Sequence, residues 1–292
     1  SVWREHAWGG DRFERSRSPR RVLVVGAGPA GLEAARVAAE RGHDVELHEA
    51  APVIGGQFRL AGEQPRRAQI LDLMAWYERQ FTRLGVKLHL NSFLEAEEVR
   101  AIGADEVIIA TGSLPDEDAT QRWLPQMERL PGLEHGNVTS PEAVMRREAR
   151  IDGAVIVYDE GGTMRGLGTA WHLAEAGHEV VIVTPDPMVG QEVARTSADI
   201  PIRAKLAQLG AKFMTEHAVA AWHGQGATLR NLLIGDETEV AASALVMATT
   251  NRAFEPLSED LGDLEVRIVG DAQAPRQAPY AFYEGRVAGM EI

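Results

Sequence analysis

The chain alternates short apolar, β-branched runs with longer stretches whose apolar positions recur at helical spacing. Residues 21–25 (RVLVV) predict a strand, 29–41 an alanine-rich helix and 44–48 (DVELH) a second strand, together one β-α-β unit. A loop carrying Ile54-Gly55-Gly56-Gln57 follows. A long helical pattern then runs from about 65 to 84, with Ile70, Leu73, Met74 and Tyr77 on one face. Residues 86–90 and 106–110 predict further strands, the latter ending in Thr111-Gly112. The segment 114–150 is richer in proline and charge and reads as a crossing between domains. A second β-α-β unit begins at 154–158, and its helix and next strand (168–183) echo 33–47. Ala176-Gly177-His178-Glu179-Val180 repeats Arg41-Gly42-His43-Asp44-Val45 in kind. Apolar runs at 244–249 and 266–269 close the pattern. The last leads into Gly270-Asp271, as a strand returning to complete the first domain does.

Between the first strand and helix stands Gly26-Ala27-Gly28-Pro29-Ala30-Gly31, a G-x-G-x-x-G turn in its full context. Gly26 permits the tight turn, Gly28 lets backbone approach a pyrophosphate, and Gly31 lets the helix lie close on the strand. The amides and positive dipole end at the helix start then face the phosphates. The second strand ends at Glu49, followed by Ala50, about twenty residues past the glycines, where a carboxylate can accept from ribose hydroxyls. These residues predict an adenine nucleotide.

The second unit departs from that fingerprint. Thr163 falls opposite Gly28 and Gly166 opposite Gly31, and the turn 158–162 (YDEGG) is longer. Asp159 and Glu160 are expected to face a pyrophosphate with like charge. Thr184 replaces the ribose carboxylate. A folded relic of a nicotinamide-binding domain is expected, with a variant cradle at Gly161-Gly162 as the alternative.

The 292 residues suit about two domains, with 45% hydrophobic content. A net charge of −13 argues against nucleic acid and anionic membranes as partners. Arg12, Arg15, Arg17, Arg20 and Arg21 form a local basic stretch, read as a solvated linker or docking segment over 1–20. Trp3, Trp8 and Phe13 are expected to contact a partner domain or subunit. No apolar run reaches membrane-span length and the first residues lack a signal-peptide core, so a cytoplasmic setting is expected. The chain has no cysteine, which removes disulfides, thiolate nucleophiles and thiolate-held iron–sulfur clusters. The histidines form no metal-binding spacing, His43 and His178 reading as turn residues. No residue stands out as catalytic.

Together GAGPAG, Glu49, Gly55-Gly56-Gln57, Ala110-Thr111-Gly112 and Gly270-Asp271 resemble the two-dinucleotide-domain flavoproteins related to glutathione reductase. The stretch 270–276 (GDAQAPR), with Gly285-Arg286-Val287-Ala288 after it, is closer to one branch. It looks like the C-terminal region of the trimethylamine dehydrogenase, histamine dehydrogenase and 2,4-dienoyl-CoA reductase family. The resemblance implies an α/β fold of two Rossmann-like nucleotide-binding domains, the second inserted into the first. The domains would be 21–150 with 252–292, holding FAD or ADP, and 151–251, of degenerate NAD(P)-binding type. Gly26, Gly28, Pro29, Ala30, Gly31, Glu49 and Ala50 would hold the adenosine diphosphate moiety. Gly56 and Gln57 would bring a loop near the cofactor, Thr111 and Gly112 would pass beneath it, and Gly270 and Asp271 would meet the ribitol of FAD. In that family a barrel with FMN and a cysteine-held 4Fe–4S cluster precede such a segment. The chain is therefore expected to be a detached C-terminal portion, or a separate subunit, of an amine dehydrogenase or N-demethylase. Its expected partners are an FMN/iron–sulfur barrel and an electron-transferring flavoprotein. An NAD(P)H-dependent enoyl reductase portion and a non-catalytic ADP-binding scaffold are the alternatives.

Overall fold

Val22-Leu23-Val24-Val25 is apolar on both faces, as a central parallel strand requires, and all four residues are buried in β1 (Arg21–Val25). The structure, a computed structural model, describes residues 13–262 and 264–292; Trp3, Trp8, His6 and Arg12 lie outside the described residues. After β1 come α1 (Pro29–Glu40), β2 (Asp44–His48), α2 (Gly56–Glu63), α3 (Gln69–Leu84), β3 (Lys87–His89), α4 (Ala96–Ile102), β4 (Glu106–Ile109) and β5 (Ser113–Leu114). A second set follows: β6 (Val138–Thr139), α5 (Pro141–Met145), β7 (Val155–Asp159), α6 (Met164–Glu175), β8 (Val180–Val183) and α7 (Asp199–Gln208). It continues through β9 (Lys212–Met214), β10 (His217–Trp222), β11 (Gly226–Asn231), β12 (Glu237–Ala241) and β13 (Ala244–Ala248). The chain then returns through β14 (Arg252–Ala253), β15 (Val266–Ile268) and α8 (Ala278–Glu291).

Two compact units result. The first comprises the described residues up to Gly62, with Gln69–Leu114 and Arg252–Ile292; the second comprises Glu63–Ala68 and Pro115–Asn251. Each carries a five-stranded parallel sheet, ordered β15-β4-β1-β2-β3 in the first and β6-β13-β7-β8-β9 in the second. The second unit adds an antiparallel sheet, β10-β11-β12, and the first a short β5-β14 ribbon. Residues 115–150 fold with the second unit, not the first, because Leu124 and Leu130 enter its core and β6 joins its sheet. In the expected loop at 54–57, Ile54 and Gly55 precede a helix, α2, that Gly56 and Gln57 open. The long helix expected from 65 begins only at Gln69, since Pro65 and the left-handed Arg66 (φ 62°) interrupt it.

In the first unit α1 and α8 pack at backbone distance. A Cβ on Gly285 would stand 2.0 Å from the Ala30 carbonyl oxygen, and one on Gly289 2.8 Å from that of Ala34. Beside this contact lies a buried charged cluster. The Glu33 carboxylate accepts from Arg36 (2.7 and 2.9 Å) and from the Tyr77 hydroxyl (2.8 Å), with Arg286 Nη1 at 3.7 Å. Phe13, expected to reach a partner, packs on the chain's own first unit, its ring centroid 5.5 Å from the Arg36 guanidinium and 4.9 Å from that of Arg286. Nor is the whole basic stretch a solvated linker. Arg20 Nη1 sits 2.9 Å from Glu106, whose carboxylate is fully buried and also paired with Arg267.

Because α1 and α8 cannot separate without losing this packing, Gly285→Ala is expected to destabilise the chain by about 1–3 kcal/mol. Urea unfolding of variant and wild type measures it; an unchanged midpoint would show that the helices slide apart at no cost.

Candidate nucleotide site

Parallel strands of one sheet end on one edge, and the carboxyl ends of β1, β2, β4 and β15 gather the predicted residues there. At the end of β1 the Gly26 amide donates to the His48 carbonyl (2.7 Å), and a Cβ on Gly31 would stand 1.9 Å from the Gly26 carbonyl oxygen. The fold itself therefore demands glycine at 31. Gly28 differs: its backbone is extended (φ −74°, ψ −179°), and a built Cβ meets nothing within 4 Å. Packing gives no reason for glycine there. As the N-cap of α1 it offers no side chain to the first-turn amides, and Pro29 follows at the first helical turn. Those amides thus face the open space beyond Gly28.

Around this turn the other predicted residues are tied together. Glu49 accepts from the Ala27 amide (2.7 Å) through Oε2 and from the Ala51 amide (2.8 Å) through Oε1, leaving Ala50 exposed between them. The Gly55 amide donates to the Ala27 carbonyl (2.8 Å), and a Cβ on Gly56 would stand 3.3 Å from Gly28 Cα. Gln57 Nε2 donates to the Ser113 carbonyl (2.5 Å), and Ser113 Oγ donates to Asp271 Oδ2 (3.1 Å). Asp271 Oδ1 also accepts from the Arg276 amide (3.1 Å), and burial pushes this carboxyl above the usual range. The Gly270 amide donates to Glu284 Oε2 (2.8 Å). Thr111 and Gly112 turn to the chain instead. The Thr111 hydroxyl donates to the Phe254 carbonyl (2.5 Å), and the Gly112 carbonyl accepts from the Phe254 amide (2.9 Å). Sequence reasoning missed Ser113, the link between Gln57 and Asp271; its signal was a small polar residue directly after the Thr-Gly strand end.

The equivalent place in the second unit is filled by the chain's own groups. Thr163 is the N-cap of α6, as Gly28 is of α1, but its hydroxyl accepts from the Arg165 amide (3.3 Å) and caps the helix. Asp159 and Glu160, expected to face a pyrophosphate, are both buried. The Asp159 carboxyl packs on α6, where a Cβ on Gly166 would stand 2.5 Å from it, and Glu160 accepts from the Arg122 amide (2.6 Å) and Nε (3.1 Å). Gly162 is overlaid by the loop after β8, with the Glu192 amide donating to its carbonyl (3.1 Å). Arg165 is spent on Glu142 (2.6 and 2.8 Å) and the Thr249 carbonyl (2.6 Å). Thr184 is fully buried.

His43 and His178 hold equivalent corners: His43 Nδ1 accepts from the Arg20 amide (3.1 Å), and His178 Nδ1 lies 3.1 Å from the Gly153 carbonyl. Trp171 is buried, with Nε1 donating to Glu175 (2.8 Å). Among the described residues, no helix is long and apolar enough to cross a membrane.

The pattern of the pyridine nucleotide-disulphide oxidoreductase family matches residues 20–271. A probable N-methylproline demethylase of Rhizobium meliloti (strain 1021) is 38% identical over 209 residues, covering 71% of this chain and 29% of that protein. A multifunctional alkene reductase/demethylase OYE of Caballeronia cordobensis is 34% identical over 256 residues, 84% of this chain and 35% of that one. The structure of histamine dehydrogenase from Rhizobium sp. 4-9 superposes with a TM-score of 0.91 at 28% identity, covering 98% of this chain and 46% of that chain. The chain thus spans about a third of the curated relatives it matches, corresponding to their C-terminal portion. The fold is a two-Rossmann architecture of glutathione-reductase type, the second unit inserted into the first.

Burial first, then the nearby Asp186, pushes the Asp159 carboxyl up to about 7. The folded chain holds this proton more tightly than the unfolded chain does. Asp159 therefore removes stability as pH rises from about 4 to about 7. Asp159→Asn keeps the shape and abolishes the titration. It is expected to stabilise the chain at pH 7.5 by about 1–3 kcal/mol and to have little effect near pH 4.5. Urea midpoints at the two pH values measure this, and equal effects at both would place the titration elsewhere.

Proposed function

The chain belongs to the pyridine nucleotide-disulphide oxidoreductase family, and we propose that it is the nucleotide-binding portion of an iron–sulfur flavoprotein that dehydrogenates or demethylates amines. Its first unit would hold FAD, or ADP at the same site. Gly28 carries this reading. The fold needs no glycine there, the space beyond is open, and uncapped amides at the start of α1 face it, as a pyrophosphate cradle requires.

The residues divide the work by chemistry. Amides of the turn and of the first turn of α1 neutralise the diphosphate by donation and by the helix dipole. Glu49 holds the turn in shape through Ala27 and Ala51 and offers its remaining lone pairs to the ribose hydroxyls. The Gln57–Ser113–Asp271 chain sets polar groups where a ribitol would run. FAD, when bound, supplies the electron-transfer chemistry, and the protein supplies binding and orientation. The second unit takes no nicotinamide nucleotide in this reading, because Thr163, Asp159 and the loop after β8 already occupy the cradle. Substrate chemistry then belongs to an FMN/iron–sulfur barrel, as domain or partner subunit, and the chain by itself turns over no amine. A second reading, an enoyl reductase portion fed by NAD(P)H, is favoured by the similarity to an alkene reductase/demethylase.

Denaturing the purified chain and analysing what it releases tests the first site: FAD gives a yellow protein, whereas ADP gives a colourless one. Gly28→Val is expected to abolish retention, while the unfolding free energies of nucleotide-free variant and wild type agree within about 0.5 kcal/mol, since the new side chain points into open space. Full nucleotide stoichiometry in a folded Gly28→Val chain would defeat the assignment. Glu49→Ala should weaken retention less than Gly28→Val does, because the phosphate amides remain.

The second unit is tested by calorimetric titration with NADH and NADPH. No saturable binding is expected below millimolar concentration, a free energy weaker than about −4 kcal/mol. Micromolar binding lost on altering Gly161 or Gly162 would replace the dehydrogenase reading with the reductase one.

A further inference from the structure

The geometry points to a divalent transition-metal site at the edge of the first unit's sheet, formed by Glu46, His48 and His89. Strand alternation puts Glu46 and His48 on one face of β2, and the parallel register sets His89 of β3 directly beside His48. One nitrogen of each imidazole and one oxygen of Glu46 lie within 4.8 Å of one another. His48 is more than an ordinary core histidine. It is 8% exposed, Nδ1 lies 2.8 Å from Ser92 Oγ, and Nε2 has no hydrogen-bond partner among the described residues. A metal-ligating imidazole has this division, with one nitrogen tied to a group that fixes ring and tautomer and the other presenting a lone pair. Burial, reinforced by the neighbouring His89, lowers the His48 pKa and favours the neutral ring an ion needs. Two imidazoles and one carboxylate suit Zn²⁺, Co²⁺ or Ni²⁺, with a fourth position for water.

One movement completes the site. The two rings stack with centroids 4.3 Å apart and planes 17° from parallel, so a shared ion requires one ring to turn. His89, with 45% of its side chain exposed, is the ring free to turn. Bonds of about 2.0–2.1 Å then draw the donors to about 3.3 Å from one another in a tetrahedral arrangement. Glu46 already has cationic neighbours, with Oε1 3.1 Å from Lys87 Nζ and 3.8 Å from Arg21 Nη2, while Oε2 lies 3.9 Å from His89 Nε2. The lysine pair is half exposed and weak, so an ion displaces it at small cost.

Titrating the full chain with Co²⁺ and with Zn²⁺ tests the site. One ion per chain is expected, with Kd at or below about 10 μM, Co²⁺ giving the visible absorption of tetrahedral coordination and Zn²⁺ abolishing it. His89→Gln should weaken binding tenfold or more, whereas His178→Gln, at a corner of the second unit, should leave it unchanged. His48→Ala removes a buried ring and can unfold the chain, so the exposed His89 carries the test, its fold verified by circular dichroism. Absence of a stoichiometric site, or equal affinity in wild type and His89→Gln, would overturn the proposal.

Discussion

The first unit depends on one steric constraint, the close approach of α1 to everything around it. At its start the helix passes so near the end of β1 that Gly31 has no room for a side chain against the Gly26 carbonyl. Along its flank it meets α8 at Gly285 and Gly289, again at backbone distance. Alanines at 30, 34, 35, 38 and 39 let both contacts form along one helix, and all five are buried. The approach also aims the helix. With α1 pressed onto β1 and α8, its first turn points along the carboxyl edge of the sheet, where Glu49, Gly56 and Asp271 converge. The aim of the helix is a by-product of packing, and Gly28 is the one fingerprint glycine that packing does not explain, which is why the proposed function rests on it.

The second unit keeps the frame of the first and changes how its helix begins. The five-residue strand and twelve-residue helix are kept, the turn between them is longer, and each helix is entered through an extended N-cap residue, Gly28 or Thr163. At that position a glycine leaves the amides to an outside acceptor, while a threonine satisfies one internally. The carboxylates that would repel a phosphate are turned inward, Glu160 onto Arg122 and Asp159 against α6. Burying Asp159 is costly, and the chain meets that cost by favouring the protonated form.

Most of the fold was legible because its strands are apolar runs and its helices keep their period. The fingerprint was legible because its glycines stand at fixed spacing between an apolar strand and an alanine-rich helix. The boundary at Pro115 was not, since Leu124 and Leu130 reach the second core from a segment whose proline and charge read as linker. The inward turn of Asp159 and Glu160 was equally hidden, because side-chain direction in a turn is set by partners such as Arg122, distant in sequence. The nearness of Glu46, His48 and His89 to one another was hidden for the same reason. Only the pairing of β2 with β3 sets the two rings side by side, and spacing along one strand carries no trace of its neighbour.

Charge gives the last step. A net charge of −13 opposes the approach of the dianionic diphosphate that the chain is proposed to hold. Yet screening confines exposed charges to about 8 Å at physiological ionic strength, so the sum over the molecule says little about one turn. What counts is local: an uncapped helix start, the open space beyond Gly28, and a Glu49 whose two oxygens are already engaged by backbone amides. Those amides offset much of the carboxylate's charge, so Glu49 can stand beside the proposed diphosphate position with little repulsion. In the proposed reading the site needs no basic side chain of its own, because fixed dipoles rather than mobile charge would hold the diphosphate.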